Sequence, residues 1–287
     1  MPKKIKITIN YQRAVEVSKT IMSRLEKKLW PFNQPDLFPD ATIPESVNPA
    51  HFLFYAVALD SRRESRVTYP KVRILTEHLD FSKIEELGTN HVKKMLKKYF
   101  ESPIEKASGN PVKMFMENSQ KLNKEYNGDP KNIKAETVKE TLKRIKKFYG
   151  YGKTNNTLLI KNMVRVGIWD FPHNSFPIKI DRHVINISIG TGVVQLPPGL
   201  KKIRFEKLVS PLDKVYQKVI NQENISAIDL NDGFWATGQY ICTSRQLAHC
   251  EMNCSLDCKI KPYTNKKYTI IELKRETREP TKRLFKS

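Results

Sequence analysis

The sequence predicts an all-α protein. Apolar residues recur at helical spacing along most of the first 150 positions, the faces between them are charged, and strand signals are scarce before residue 178. A first amphipathic helix is expected from about Tyr11 to Leu29, with Ala14, Val17, Ile21, Leu25 and Leu29 on one stripe. A loop follows from Trp30-Pro31-Phe32 through Pro35, Pro39, Pro44 and Pro49, because repeated prolines remove backbone donors and break helical turns. AHFLFYAVALD, at about 50 to 60, is apolar nearly all round and predicts a buried helix. From 74 to 150 the stretches LTEHLDFSKIEELG, HVKKMLKKYF, VKMFMENSQKLNKEY and ETVKETLKRIKKFYG read as helices with charged faces, and Asn127-Gly128-Asp129-Pro130 as a turn between two of them. Ile185, Ile187 and Ile189 alternate with Asn186 and Ser188, which by propensity alone is a strand pattern. The tail from Asn265 to Ser287 is strongly basic and contains one expected strand, Tyr268 to Leu273.

A chain of 287 residues holds one large domain or two lobes with a substantial core. No apolar stretch approaches the roughly 20 residues of a membrane span, and no apolar signal core follows Met1-Pro2-Lys3-Lys4, so no membrane association and a cytoplasmic location are expected. Fifty-one Lys and Arg against thirty Asp and Glu leave a formal charge of +21. Such a surplus points to a polyanionic partner, most often nucleic acid; the plainer alternative is a solvated basic surface.

All four cysteines, Cys242, Cys250, Cys254 and Cys258, fall within seventeen residues as C-x7-C-x3-C-x3-C. Thiolates grouped in this way suit one soft metal centre, an iron–sulfur cluster or zinc. Two short disulfides or four ordinary buried cysteines are the alternatives, and disulfides belong to small secreted scaffolds. Zinc ribbons favour C-x2-C pairs, which are absent, although His249 lies inside the loop as a further donor.

Between two helical patterns lies Phe148-Tyr149-Gly150-Tyr151-Gly152-Lys153-Thr154. Two glycines one residue apart make a tight turn whose amides can face a phosphate oxygen, though alone they equally describe a plain helix–helix turn. About thirty residues on comes Ile178-Lys179-Ile180-Asp181-Arg182-His183-Val184, and some sixty beyond that the cysteine loop, entered through Thr237-Gly238-Gln239-Tyr240-Ile241-Cys242. Asp181 is a carboxylate in an I-D-x-H-V context, and its plain reading is a helix N-cap.

This order of features resembles the endonuclease III group of helix-hairpin-helix DNA glycosylases over roughly residues 50 to 260. There the hairpin reads L-P-G-V-G-x-K-T, the aspartate V-D-T-H-V, and the cluster loop C-x6-C-x2-C-x5-C after H-G-R-Y-x-C. Both loops place thirteen residues among their four cysteines. Departures from the pattern are Tyr149 in place of the hairpin proline, Arg182 in place of threonine, and a longer segment between hairpin and aspartate.

The resemblance implies a two-lobed fold. A six-helix barrel lobe at 50–172 carries the hairpin; residues 1–49 plus 173–287 form a second helical lobe with the cluster loop and basic tail. It implies a monomeric base-excision-repair N-glycosylase that extrudes a damaged or mispaired base from double-stranded DNA lying in a groove between the lobes. Asp181 would be the catalytic carboxylate at the start of a helix that runs through the alternating isoleucines despite their strand propensity, and the four cysteines would hold a 4Fe–4S cluster. Lys153 would be a Schiff-base nucleophile giving AP lyase strand cleavage, unless the ungapped register places Thr154 there. Gly150, Gly152 and Thr154 would grip the DNA backbone; Arg62 or Arg63 would fill the gap left by the base; Arg245, Lys259 and Lys261 would contact phosphates. Tyr149, Tyr151, Trp169, Trp30 and Phe32 are candidates either for a base pocket or for core packing. The competing functions are a non-catalytic DNA-binding protein of the same fold and a zinc-stabilised RNA-binding protein.

Overall fold

The structure, a computed structural model, describes residues 7–32, 43–60, 65–99, 110–197, 202–242, 256 and 272–274. The described chain is mostly helical, with a few very short strands. In order come β1 (Thr8–Ile9), α1 (Tyr11–Glu26), α2 (Pro49–Leu59), α3 (Ser65–Thr76), α4 (Ile84–Tyr99), α5 (Pro111–Tyr126), a 3-10 turn (Pro130–Ile133), α6 (Val138–Ile145) and α7 (Lys153–Arg165). Then follow α8 (Arg182–Gly190), β2 (Val194–Gln195), β3 (Lys202–Arg204), α9 (Glu206–Gln222), α10 (Ala227–Ala236), a π-helical turn (Thr237–Cys242) and β4 (Glu272–Lys274). Among the described residues no helix is long and apolar enough to cross a membrane.

Two compact units divide the chain. A central unit comprises Gln34–Lys179 with Ser226–Ile228; a discontinuous unit comprises Met1–Asn33, Ile180–Ile225 and Asp229–Ser287.

The central unit is organised around α2. Asn48 caps that helix, its Oδ1 accepting from the Ala50 amide at 2.9 Å, and Pro49 supplies the preset φ of a first helical residue. Every residue from Ala50 to Leu59 is buried, as its uniformly apolar text requires. Tyr55 stacks on Phe115 of α5 with ring centroids 4.4 Å apart, and Phe81 packs edge-on against both. Side chains of this size contribute about 1.5–3 kcal/mol each when fully buried. α3 and α7 pack on α2, and α4 packs on α5. The expected helix over LTEHLDFSKIEELG is instead split. α3 ends at Thr76, a turn intervenes, and α4 is itself broken where Gly88 takes φ +73.

The Asn127–Pro130 turn forms as its residues dictate, with Asn127 (φ 50) and Gly128 (φ 72) in left-handed geometry. His51 pins it to α2, its Nε2–H donating to the Gly128 carbonyl at 2.9 Å. Nδ1 is buried and has no hydrogen-bond partner among the described residues, and burial pushes the imidazole below its ordinary 6.5. The native state therefore takes up a proton less readily than the unfolded chain. The resulting stability is fully present above pH 6.5 and is lost as pH falls through 6.5 toward the lower folded value. Wild-type protein should lose more stability than His51→Gln between pH 7.5 and 5.5, read from urea midpoints at constant m.

In the discontinuous unit, α1 is capped by Asn10 and buries Ala14, Val15, Val17, Ser18 and Ile21. It stops at Glu26, so Leu29 falls off the expected stripe and is 42% exposed. α1 packs on α9, and β1 pairs antiparallel with β2, Thr8 opposite Gln195 and Ile9 opposite Val194. β3 and β4 pair in parallel, Lys202 opposite Glu272; the rest of the expected strand at Tyr268 to Leu273, before Glu272, lies outside the described residues. The alternating isoleucines form a helix, α8, and not a strand. Ser188 turns inward there, its Oγ bonding the Val184 carbonyl at 2.7 Å and the Tyr216 hydroxyl at 2.8 Å.

Candidate functional site

The hairpin between α6 and α7 is held by a set of contacts within the central unit. Phe148 and Tyr151 both set their rings against Phe54 of α2, at 5.1 and 5.2 Å, and the Tyr151 hydroxyl donates to the Phe54 carbonyl. Burial holds that phenol well above its ordinary range, so it stays a donor. Asn118 of α5, 1% exposed, clamps Tyr149 from the other side. Its Nδ2 donates to the Tyr149 carbonyl at 3.0 Å, and its Oδ1 accepts from the Tyr149 amide at 2.8 Å. Asn155, in the first turn of α7, donates to the carbonyls of Val57 and Gly150 at 3.0 and 3.2 Å. Asn118→Leu should therefore orphan two backbone groups and cost about 2–3 kcal/mol in urea unfolding, with Asn118→Asp intermediate because it keeps the acceptor.

The two glycines serve different ends. Gly150 has φ +87, and a β-carbon there would lie 3.1 Å from Met114 Sδ and 3.4 Å from the Ala58 carbonyl oxygen. It is required by the fold itself. Gly152 is exposed, has φ −90, and a β-carbon there would meet nothing within 4 Å. Gly152 is the N-cap of α7 and offers no side-chain cap, so the first-turn amides keep their hydrogen-bonding capacity. That end of the helix also carries the positive pole of its dipole. Lys139, Lys143, Arg144, Lys146 and Lys147, on and just after α6 and so shortly before it in sequence, are all exposed. The backbone of Lys153 and Thr154 opens α7; their side chains lie outside what the structure describes.

Asp181 is the second residue after the chain enters the discontinuous unit at Ile180. Of its two readings, the structure shows the N-cap. Oδ1 caps α8, accepting from the His183 amide at 2.8 Å and the Val184 amide at 3.2 Å. The residue is half-buried, and among the described residues Oδ2 has no hydrogen-bond partner. A carboxylate fixed through one oxygen and open at the other is positioned without being consumed by its structural role.

His183 links this aspartate to the cysteine-loop lead-in. A β-carbon at Gly238, in the π-helical turn, would lie 2.4 Å from both Cβ and Nδ1 of His183. That turn ends at Cys242, which is half-buried. Four thiols within seventeen residues are a soft donor set of the kind that takes an iron–sulfur cluster or zinc. Cys250, Cys254 and Cys258 lie outside the described residues, as do Arg62, Arg63, Arg245, His249, Lys259 and Lys261.

Of the five aromatic candidates, three are core. Phe32 is 4% exposed, Tyr151 6% and Trp169 1%, the last with its indole N–H on the Lys131 carbonyl at 2.9 Å. Tyr149 and Trp30 remain half-buried. Trp30 joins two further half-buried rings in the discontinuous unit, Tyr240 at 6.4 Å and, across Tyr240, Trp235 at 5.9 Å, with near-perpendicular planes. Tyr240 lies two residues past Gly238.

Asn118, Asn155 and Gly238 are contributions that motif reading missed. A signal existed for the asparagines, since Asn is poorly suited to helix interiors and its presence there points to a specific bonding partner. A scan against protein-family models and a search of curated proteins each returned no match to the chain.

Proposed function

We propose that the protein is a DNA N-glycosylase of the helix-hairpin-helix type, which binds duplex DNA through its hairpin and removes a damaged or mispaired base with Asp181. The observation that carries this reading is the state of Asp181, fixed by an N-cap through Oδ1 and open at Oδ2. Cleaving an N-glycosidic bond builds positive charge on the sugar, and a fixed carboxylate beside it lowers that barrier electrostatically. The same oxygen can orient a water for attack on the sugar carbon, as carboxylates do in glycoside hydrolysis.

The hairpin supports the reading independently. An uncapped helix end, an exposed Gly152 with open space beside it, and a run of exposed cations together suit a phosphodiester backbone. Trp30, Tyr240 and Trp235 offer ring faces on which an extruded base can stack. Cys242, Cys250, Cys254 and Cys258 would hold a 4Fe–4S cluster, which when bound ties the loop together and supplies no step of bond cleavage. Lys153 at the head of α7 would add strand cleavage if its amine attacks the sugar.

The test is cleavage of duplex oligonucleotides that each carry one lesion: an oxidised pyrimidine, 8-oxoguanine, uracil, a G·T mismatch or an alkylated purine. Every reaction is split between hot alkali and none. Breaks that need alkali establish a water-using glycosylase, whereas breaks without it establish the lyase and favour Lys153 as its amine. Breaks in neither arm from folded protein refute the proposal.

A further inference from the structure

We infer that the π-helical turn Thr237–Cys242 positions Asp181 through the contact of Gly238 with His183, so that a shift of Cys242 changes the geometry of the carboxylate. The catalytic meaning of this coupling rests on the proposed role of Asp181; the coupling itself does not.

The contact is at the stem of His183, not its flexible tip. A β-carbon at Gly238 would lie 2.4 Å from His183 Cβ and Nδ1 and 2.5 Å from Cγ. Unbonded carbons settle at about 3.5–4.0 Å, so only glycine lets the backbone of the turn approach the His183 side chain this closely. His183 is 8% exposed, and its amide makes the shorter of the two bonds that hold Asp181 Oδ1. The π-turn is itself seated, with Thr237 and Ile241 each 2% exposed. Upstream, Gly233 is pressed on α1 in the same way, where a β-carbon would meet Ile21 Cγ2 at 2.1 Å. The helix that leads to the cysteines is thus fixed at two glycine contacts, and Cys242 is the last residue of its π-turn. Widened turns of this kind recur at functional sites. A shift of Cys242 is passed through Gly238 to His183 and from its amide to Asp181.

Hydrogen–deuterium exchange on the full chain tests this without relying on activity. Cys242→Ser removes one thiol and leaves the glycine contact chemically intact; Gly238→Ala disturbs the contact and leaves the thiols. Both should speed exchange of the 182–188 amides at least tenfold, while peptides of α7 at 155–162 exchange as in wild type and report that the protein is folded. With a releasable lesion in hand, both variants should lower kcat at least tenfold and change KM less than twofold. Unchanged exchange at 182–188 in Cys242→Ser overturns the coupling, even if Gly238→Ala fails to fold. Faster exchange without base release from any lesion by wild type sustains the coupling and refutes the catalytic role of Asp181.

Discussion

Asp181→Asn is expected to lose at least about 100-fold in single-turnover base release while folding and binding duplex DNA as wild type does. The substitution keeps an oxygen on the side chain, so the bonds from the His183 and Val184 amides to Oδ1 survive. Asn is as good an N-cap as Asp, and the lost charge at the helix N-terminus costs under about 1 kcal/mol. What disappears is the negative charge opposite a developing oxocarbenium ion and an oxygen basic enough to take a proton from water. Asp181→Ala would confuse the two roles, because it also removes the cap. A fall in turnover with unchanged urea midpoint and unchanged DNA affinity separates chemistry from architecture. Equal turnover in wild type and Asp181→Asn would remove the aspartate from the mechanism.

The hairpin glycines should part company in opposite directions. Gly150→Ala places a β-carbon at φ +87 and against Met114 and Ala58, so it should cost about 2–3 kcal/mol of stability, from left-handed strain and overpacking together. Gly152→Ala meets nothing inside the molecule and sits at an ordinary φ, so stability should change by no more than about 0.5 kcal/mol. Its effect should fall on DNA. A methyl group at the point where a phosphate reaches the first-turn amides should weaken duplex binding roughly tenfold, with a shallower salt dependence if a backbone contact is lost. Urea unfolding and a salt titration of duplex affinity read both effects. A destabilised Gly152→Ala, or one that binds DNA like wild type, would deny the hairpin its proposed partner.

The helices with one apolar stripe or a continuous apolar run were legible from the sequence, because burial on one face leaves a period in the text. α1 and α2 are of this kind, and each is found within a few residues of the expected span. α8 was not legible by the same rule. It is buried nearly all round, so its polar Ser188 read as a solvent-facing position when in fact it bonds back to Val184 and across to Tyr216. The break of α4 at Gly88 and the early end of α1 depend on single backbone conformations, which periodicity does not register.

The candidate site was legible where chemistry restricts the residue type, and opaque where one side chain meets a distant stretch of backbone. Asp181 stood out because the same residue is both a cap and a carboxylate. Asn118 and Asn155 hold the hairpin through contacts 31 and 98 positions away in sequence, which no local pattern announces. Gly150 and Gly152 looked equivalent as text. Only their surroundings separate a glycine needed for packing from one that leaves space for a partner.

The most direct measurement is the free base itself, released from the lesion duplexes and identified by mass spectrometry, with wild type beside Asp181→Asn. Release of one base class by wild type and at least about 100-fold less by the variant is the predicted result. No free base from any lesion, by folded protein with its iron and sulfide quantified and its duplex affinity intact, would contradict glycosylase function and leave a non-catalytic DNA-binding protein.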